Sequence, residues 1–303
     1  MNKEDKIIFL KNPNSVIEQL IKNFTKENEY NRRNQINHGV YWDEPLVGFA
    51  SGLNPLFSEY KTIIGSFHLT PREIIMAALK EKGRDLLLTE MEQVSVVSWI
   101  LPASEDTRKS NRKEERFPSK LWAYTKSDGE VFNNALRRHV VSFLEALGHV
   151  TVAPVLLPTF QHLRDEKVGW ASQWSERHVA YACDLGTFSL NDGLITPKGM
   201  AVRIGSVVTL LKLAPSDKRY RDYKENCLHF RNEKCGKCIS RCPVGAITEK
   251  GHDKDRCWEY LNSDPIKAKH SEYGIENPRL FSCGLCQTSV PCEFEIPRPD
   301  LIA

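Results

Sequence analysis

In the last third of the chain, residues 235–247 read Cys-Gly-Lys-Cys-Ile-Ser-Arg-Cys-Pro-Val-Gly-Ala-Ile. Two residues separate Cys235 from Cys238, three separate Cys238 from Cys242, and Pro243 follows at once. A cuboidal iron–sulfur cluster needs four thiolates at tetrahedral corners, and two cysteines on a tight turn supply adjacent corners. In such a run the cysteine before proline binds the other cluster of a pair. The segment therefore predicts two 4Fe–4S clusters, which handle low-potential electrons.

Under that rule, eight cysteines of the last third divide into two sets of four that cross over along the chain. The first set is Cys227, Cys235, Cys238 and Cys292, and the second is Cys242, Cys257, Cys283 and Cys286. The crossing would place the two clusters near each other, as electron relay requires. The ninth cysteine, Cys183, lies among apolar residues, and we expect it to be a small buried side chain.

Structural zinc and disulfides are the alternatives to clusters. Zinc ribbons favour two C-x-x-C pairs about 15–20 residues apart, whereas 44 residues separate Cys238 from Cys283. A Cys-Pro-Val-Gly-Ala-Ile segment also has no purpose in a zinc site. Disulfides are rare in a reducing cytosol, where cysteines serve better as ligands. The spacing therefore favours clusters over both alternatives.

Composition limits the classes of partner and compartment. A formal net charge of +3 is close to balance and gives no electrostatic reason to expect a nucleic-acid partner. No apolar run approaches the roughly 18 residues that a membrane span needs, so we expect no membrane association. Polar residues follow Arg32-Arg33 where an export signal would have an apolar segment. We therefore predict a cytoplasmic protein.

The first two thirds of the chain alternate helix and strand patterns, which predicts an α/β fold. The predicted elements are helices that begin at Ser15 and Thr70, a helix over 131–147, a buried strand over 94–101, a short strand after Gly148 and a hairpin over 193–213. The charged run 105–116 is expected to be a solvated loop. Beyond residue 215 the chain becomes polar and rich in cysteine. We therefore predict two domains, 1–215 and 216–303.

Common nucleotide motifs do not occur in this sequence. No G-x-G-x-x-G segment follows a predicted strand, and no G-x-x-x-x-G-K-[ST] segment is present. No nucleophile-elbow motif suggests a serine hydrolase, although sequence alone leaves that chemistry open. These observations disfavour nicotinamide and nucleoside triphosphate chemistry.

Several short motifs, in order along residues 90–295, resemble the epoxyqueuosine reductase and reductive dehalogenase superfamily. They are Ala153-Pro154-Val155, Trp174-Ser175-Glu176-Arg177-His178, Leu185-Gly186-Thr187-Phe188, Gly193-Leu194-Ile195-Thr196, residues 242–247, Arg256-Cys257-Trp258-Glu259-Tyr260-Leu261 and Cys283-Gly284-Leu285-Cys286. Each motif alone is moderately specific, and their shared order is the stronger signal.

The resemblance implies a nitroreductase-like α/β domain that holds cobalamin in its base-off form, followed by a ferredoxin-like domain with two 4Fe–4S clusters. The clusters would reduce the cobalt, and an external donor such as ferredoxin or flavodoxin would supply the electrons. The implied cofactor-binding residues are Ala153, Pro154, Val155, Arg177, His178, Leu185, Gly186, Asn191, Asp192, Gly193 and Ile195. Tyr124 is a candidate proton donor, with a half-buried core tyrosine as the alternative. No histidine has the Asp-x-His-x-x-Gly context of histidine-ligated corrinoid domains.

Three departures from the family pattern bear on the substrate and on the ligands. The family's acidic proton donor precedes a Ser-Ala-Pro segment, whereas this chain has Thr151-Val152-Ala153-Pro154. Seven residues separate Cys227 from Cys235 where the family usually has two. Five residues separate Cys286 from Cys292 where the family has three, and proline precedes Cys292 instead of following it. The missing acid argues against epoxyqueuosine itself as the substrate.

Two functions of different classes remain open. The first is a cobalamin-dependent reductase acting on a small-molecule or nucleoside-type substrate. The second is a 4Fe–4S electron-transfer protein without its own substrate, which feeds a corrinoid protein. A third possibility is a cluster-bearing subunit or sensor whose upstream domain has lost its cofactor. A cobalamin-sized pocket would favour the enzyme over the other two.

Overall fold

A computed structural model describes residues 9–34, 36–231, 235–275, 277 and 282–298. The helices are α1 (Pro13–Glu27), α2 (Leu56–Ile63), α3 (Pro71–Glu81), α4 (Glu105–Arg112), α5 (Lys120–Ala146), α6 (Glu176–Ala182), α7 (Lys237–Ser240), α8 (Lys254–Leu261) and α9 (Asp264–Glu272). The strands are β1 (Leu46–Ser51), β2 (Val94–Pro102), β3 (Thr151–Val152), β4 (His162–Asp165), β5 (Gly169–Ser172), β6 (Thr187–Phe188), β7 (Leu194–Ile195), β8 (Val202–Leu210), β9 (Ile247–Thr248) and β10 (Gly251–His252).

The centre of the molecule is an antiparallel sheet with the strand order β1-β2-β8-β3. All nine residues of β2 are buried, because the strand has a neighbour on each side and helices on both faces. Its side chains alternate between the faces. Val94, Val96 and Ile100 belong to one hydrophobic core, whereas Val97 and Trp99 belong to the other. The predicted buried strand is confirmed.

Helices cover both faces of this sheet. On the face of Val97 lie α1 and the long helix α5, which contribute Ile17, Ile21, Phe132, Leu136, Val140 and Leu144. On the opposite face lie α2, α3 and α6, which contribute Phe57, Tyr60, Ile74, Ile75, Leu79, Val179 and Ala180. The burial of these apolar side chains is the main source of stability. The chain therefore has the mixed α/β fold that its sequence predicts.

Helix starts follow the local sequence closely, with one shift. Thr70 caps α3 in a capping box with Glu73, and Pro71 takes the first helical position, as predicted. The first helix, in contrast, is capped by Asn12, whose side chain accepts the N–H of Ser15. The predicted cap at Ser15 is therefore wrong by three residues.

One predicted boundary and one predicted connection differ from the structure. The helix predicted over 131–147 is α5, which begins eleven residues earlier, at Lys120 after the cap Ser119. The predicted hairpin over 193–213 does not form, because β7 pairs with β6 while β8 pairs with β2 and β3. The predicted turn itself is present, since Thr196 and Gly199 exchange backbone hydrogen bonds across it. The strands on its two sides pair with other partners instead of with each other.

The charged run 105–116 is not a solvated loop, which corrects the prediction. Residues 105–112 form α4, and Thr107 and Asn111 on one of its sides are fully buried. The helix packs on α5, and its polar side chains bind the C-terminal part of the chain. The charge of this run predicted exposure to solvent, but Arg108 and Arg112 form ion pairs with Glu293.

The elements of the C-terminal third, within the residues that the structure describes, are short: α7 to α9 and the pair β9–β10. Its buried residues gather around the cysteines, and Leu190, Ile195 and Met200 from the sheet region join them. Within the described part of the chain, no helix is long and apolar enough to cross a membrane.

Candidate functional site

Cys227, Cys235, Cys238 and Cys292 form the first thiol group. They line a small apolar pocket, together with Leu190, Ile195, Met200, Val290 and other residues. The pKa of the Cys238 thiol is raised to about 12, chiefly by burial and also by the nearby Cys227 and Cys235. Burial also raises the pKa of Cys292, and the nearby Cys227, Cys238 and Cys235 contribute to the shift. The structure thus brings together the four thiols of the first predicted set.

Cys242, Cys257, Cys283 and Cys286 form the second thiol group. Burial raises the pKa of Cys257 to about 12, and Cys283 and Cys242 add to the shift. The Sγ atom of Cys242 accepts the backbone N–H of Ala246 at 3.2 Å. Cys238 and Cys242 are only four residues apart in the sequence. Their thiols nevertheless belong to different thiol groups, Cys238 to the first and Cys242 to the second. Every cysteine of both groups is a free thiol.

A buried carboxylate fixes residues 289–293 beside the first thiol group. Glu293 follows Cys292 and is only 2% exposed. Its two oxygens accept the Nε–H of Arg112 at 2.9 Å, and one of them lies 3.5 Å from Arg108 Nη1. The backbone N–H of Ser289 donates to the same carboxylate at 2.7 Å. Helix α4 therefore holds Cys292 in place through charge-assisted hydrogen bonds.

Helix α4 also fixes the second thiol group. The Asn111 amide donates to the Thr288 hydroxyl at 3.0 Å and to the Cys283 carbonyl at 3.3 Å. The Arg241 guanidinium donates to the carbonyls of Leu285 and Thr288 and, through its other nitrogens, to two carbonyls at the end of α4 and just after it. Hydrogen bonds from Asn111 and Arg241 to backbone carbonyls thus connect the segment that carries Cys283 and Cys286 to α4.

Two glycines permit close packing around the cysteines. Gly284 has a φ of +58°, and a Cβ at this position would lie 1.9 Å from the Trp122 ring. Gly199 has a φ of +78°, and its Cβ would lie 2.3 Å from the backbone of Phe294. Both residues have a left-handed backbone conformation, and at both positions the Cβ of any other residue would clash with a neighbouring atom, so only glycine fits. They bring the sheet region and α5 against the cysteine loops.

A cavity of about 570 Å³ lies between the sheet region and the second thiol group. All four thiols of that group line it, as do residues of α5, α6 and β8. The volume falls in the range of cofactor and substrate pockets. The hairpin β4–β5 contributes His162 and Ser172 to the wall and contacts α8, where Trp170 stacks on Trp258 at 4.4 Å between ring centroids. Residues from both the sheet region and the cysteine-rich part of the chain therefore line the cavity.

The deepest charged groups of the cavity wall form one ion-pair network. Arg137 is buried and contacts the carboxylates of Glu130 and Glu176, each at 2.9 Å. Glu130 also pairs with Arg203. Burial disfavours the charged form of Glu130, but Arg203 and Arg137 outweigh it and lower its pKa to about 2. Burial raises the pKa of Glu176, whose carboxylate accepts the Ser206 hydroxyl. These groups pair with one another across the wall.

Lys126 lies in the same wall, one turn before Glu130 on α5. Within the described residues its ammonium group makes no hydrogen bond and no ion pair. The pKa of Lys126 is lowered to about 7, chiefly by burial and also by Arg203 and Arg177, while Glu130 opposes the shift. Lys126 was not among the residues singled out from the sequence, because Arg203 and Arg177, which help to lower its pKa, lie on distant segments.

Comparisons with known proteins point to one family. Residues 232–293 match the 4Fe-4S double cluster binding domain. Epoxyqueuosine reductases of Bacillus cereus and Bacillus anthracis are 29% and 27% identical over 119 residues, which are 39% of this chain and 29% of each relative. Over this region the chain is similar to epoxyqueuosine reductases. The aligned region spans less than a third of the length of these curated relatives.

A crystal structure of selenomethionine-labelled epoxyqueuosine reductase supports the fold across nearly the whole chain. The superposition has a TM-score of 0.50 at 16% identity and covers 95% of this chain and 70% of that one. The shared fold thus extends well beyond the aligned sequence region, into the part that forms the cavity.

Four of the residues that the family resemblance implied for cofactor binding lie in the cavity wall. They are Val155, Arg177, Asn191 and Gly193. Asn191 also donates to the Cys286 carbonyl at 2.8 Å and so connects its loop to the second thiol group. Next to it, Asp192 has a φ of +61° and accepts a hydrogen bond from His252 at 3.3 Å. The turn 189–193 therefore contacts both the cavity and the cysteine loops.

The other implied residues lie behind the wall. Ala153 and Leu185 pack in the two hydrophobic cores, Pro154 is buried, and Ile195 borders the first thiol group. Gly186 packs closely against the backbone of Ile195. His178 bonds to the Ser175 hydroxyl at 2.8 Å, and burial lowers its pKa to about 3. These side chains support the wall from outside.

Neither position that the family resemblance suggested for a proton donor faces the cavity. The Tyr124 hydroxyl donates to the Tyr273 carbonyl at 2.7 Å, and Tyr124 is not among the wall residues. Thr151, at the place of the family's acid, is buried in β3 and bonds to the Thr209 hydroxyl at 2.9 Å. Cys183 is buried in the core, as its sequence context predicts, and burial raises its pKa.

Proposed function

We propose that this chain is an iron–sulfur reductase that delivers electrons to an acceptor held in the cavity. The observation that carries this proposal is the position of the second thiol group. Cys242, Cys257, Cys283 and Cys286 all line the cavity wall, so a cluster held there would lie beside the bound acceptor. A protein that only carried electrons between partners would not need a chamber of about 570 Å³ next to its cluster.

The donor sets fit two 4Fe–4S clusters. Each thiol group has four free cysteines, the number of ligands that a cuboidal cluster requires. Burial raises the pKa of the Cys257 and Cys292 thiols. Thiols must lose their protons to bind metal, so cluster assembly should release protons. When bound, the clusters supply electrons one at a time. The domain boundary near residue 215 is part of this proposal.

Cobalamin is the cofactor that we propose for the cavity, in its base-off form. The wall offers side chains and backbone from Val155, Arg177, Asn191 and Gly193, and it mixes polar with apolar groups. The two histidines in the wall are His162 and His252, and neither occurs in an Asp-x-His-x-x-Gly segment. When bound, a corrin supplies a redox-active cobalt centre. The chain itself would orient the ligand and limit its contact with water.

We propose that the substrate is a small molecule or a nucleoside-type compound, because the curated relatives are named epoxyqueuosine reductases. Electrons would come from a carrier such as ferredoxin or flavodoxin. The free thiols suit a reducing cytosol.

Anaerobic reconstitution tests this function directly. Although Thr151 stands at the place of the family's acid, epoxyqueuosine is the nucleoside to test, because the curated relatives are named for it. The reconstituted protein is expected to retain cobalamin through gel filtration and to reduce this nucleoside with titanium(III) citrate, as followed by mass spectrometry. The cobalt(II) paramagnetic spectrum should lack nitrogen hyperfine splitting. Cys257→Ser, which removes a ligand of the adjacent cluster, is expected to abolish turnover. Intact clusters with neither corrin binding nor turnover would instead support the electron-transfer alternative.

A further inference from the structure

Among the described residues that line the cavity, Lys126 has an ammonium group without a hydrogen-bond or ion-pair partner. Lys126 lies on α5 in the same wall as the second thiol group. Arg203 of β8, Arg177 of α6 and Glu130 of α5 are the charged groups that act on it. Both acidic groups of the wall already have partners, because Glu130 bonds to two arginines and Glu176 to Arg137 and Ser206. The proton on Lys126 therefore has no acceptor among the described residues of the wall.

We propose that Lys126 is the proton donor of this cavity. The inference rests on the proposed reductase function and names the residue that would complete it. An acceptor that takes up two electrons and two protons would receive one proton from Lys126 Nζ and the second from water. The N–H bond breaks as the bond to the acceptor forms, and water then reprotonates the neutral amine. Two one-electron transfers from a low-potential reductant, passed on through the clusters, balance the reduction.

The electrostatic surroundings suit this role. A general acid works best when its pKa lies near the working pH, and burial lowers the pKa of Lys126 to about 7, helped by Arg203 and Arg177. The pKa is lowered, so the ammonium persists below about pH 7 and is lost above it. The arginines of the wall cannot serve, since a guanidinium does not give up its proton in proteins. The Tyr124 hydroxyl is bonded to a carbonyl elsewhere.

The substitution Lys126→Arg separates proton donation from charge. Arginine keeps the positive charge and so preserves binding of an anionic group, but it cannot act as an acid. With epoxyqueuosine and titanium(III) citrate, Lys126→Arg is expected to lower kcat by about 100-fold or more, with KM within a few-fold. The wild-type kcat should fall above about pH 7, and this decline should be absent from the variant. Lys126→Met should lose the same activity while its iron content stays at the wild-type level.

Labelling of lysines in the reconstituted wild-type protein provides a readout that needs no substrate. Acetic anhydride reacts with neutral amines, so the extent of acetylation across pH, read by mass spectrometry, reports each lysine's pKa. Lys126 should be half-labelled near pH 7, whereas the reference Lys22, whose pKa is raised by its hydrogen bond to Glu18, should need a much higher pH.

The proposal would be overturned if Lys126 became labelled over the same pH range as Lys22, or if Lys126 were not labelled at any pH. Full activity of Lys126→Arg would overturn it as well. Failure of the wild-type protein to reduce the nucleoside would count against the proposed function, and the labelling midpoint would still decide for or against Lys126.

Discussion

Replacing Cys283 by serine is expected to lower the iron content of the reconstituted protein from about eight to about four atoms per chain, because each cuboidal cluster holds four irons. Cys235→Ser should cause the same numerical loss through the other cluster. The two variants should therefore lose different paramagnetic signals after reduction. Iron and sulfide analysis, together with the spectra of the reduced proteins, checks both expectations.

The crossed arrangement of the ligands makes this experiment specific. Cys242 lies four residues after Cys238 in the sequence but faces Cys257, Cys283 and Cys286 in the structure. Cys242→Ser should consequently remove the same signal as Cys283→Ser. Cys183→Ser is the matched control, since this thiol is buried in the core and should leave both signals intact. A loss of the Cys235 signal in Cys242→Ser would refute the crossing.

Removing the Glu293 carboxylate is expected to destabilise the attachment of the cysteine loops by about 3 kcal/mol, because Glu293→Ala leaves the partly buried charges of Arg108 and Arg112 without their partner. The Ser289 N–H would lose its acceptor as well. The effect should appear as a lower denaturant midpoint for the loss of visible cluster absorbance. A faster release of iron to a chelator should accompany it.

Glu105→Gln provides the control for this prediction on the same helix. Glu105 pairs with Lys109 in an exposed i,i+4 arrangement, and such surface pairs contribute little to stability. We expect no measurable change in the midpoint for this variant. If Glu293→Ala behaved like Glu105→Gln, α4 would not hold the C-terminal segment through this carboxylate.

Local signals in the sequence were sufficient for much of the fold. The capping box at Thr70 and the continuous apolar run of β2 identify their elements, because cap chemistry and burial act over a few residues. The spacing around Cys235 similarly predicts the cluster region, and residues 232–293 match a double cluster domain. The grouping of individual thiols remains a structural prediction until metal is bound.

Features that depend on distant partners could not be predicted. Helix α4 has no apolar stripe, and its buried bonds run to Glu293, about 180 residues further along the chain. Strand β8 pairs with β2, about 100 residues earlier, and this pairing removed the predicted hairpin. Lys126 likewise owes its environment to Arg203 and Arg177 from other elements. Sequence patterns report neighbours along the chain, whereas these contacts arise only after the chain has folded.

The central claim is that two thiol groups hold two clusters, one of them in the wall of the cavity. Its most direct test is to reconstitute the wild-type chain anaerobically and to quantify iron, sulfide and zinc per chain, followed by the paramagnetic spectrum of the reduced protein. We predict about eight irons and eight sulfides, with signals that show two magnetically interacting clusters. One or two equivalents of zinc, without sulfide and without charge-transfer absorbance, would contradict the account.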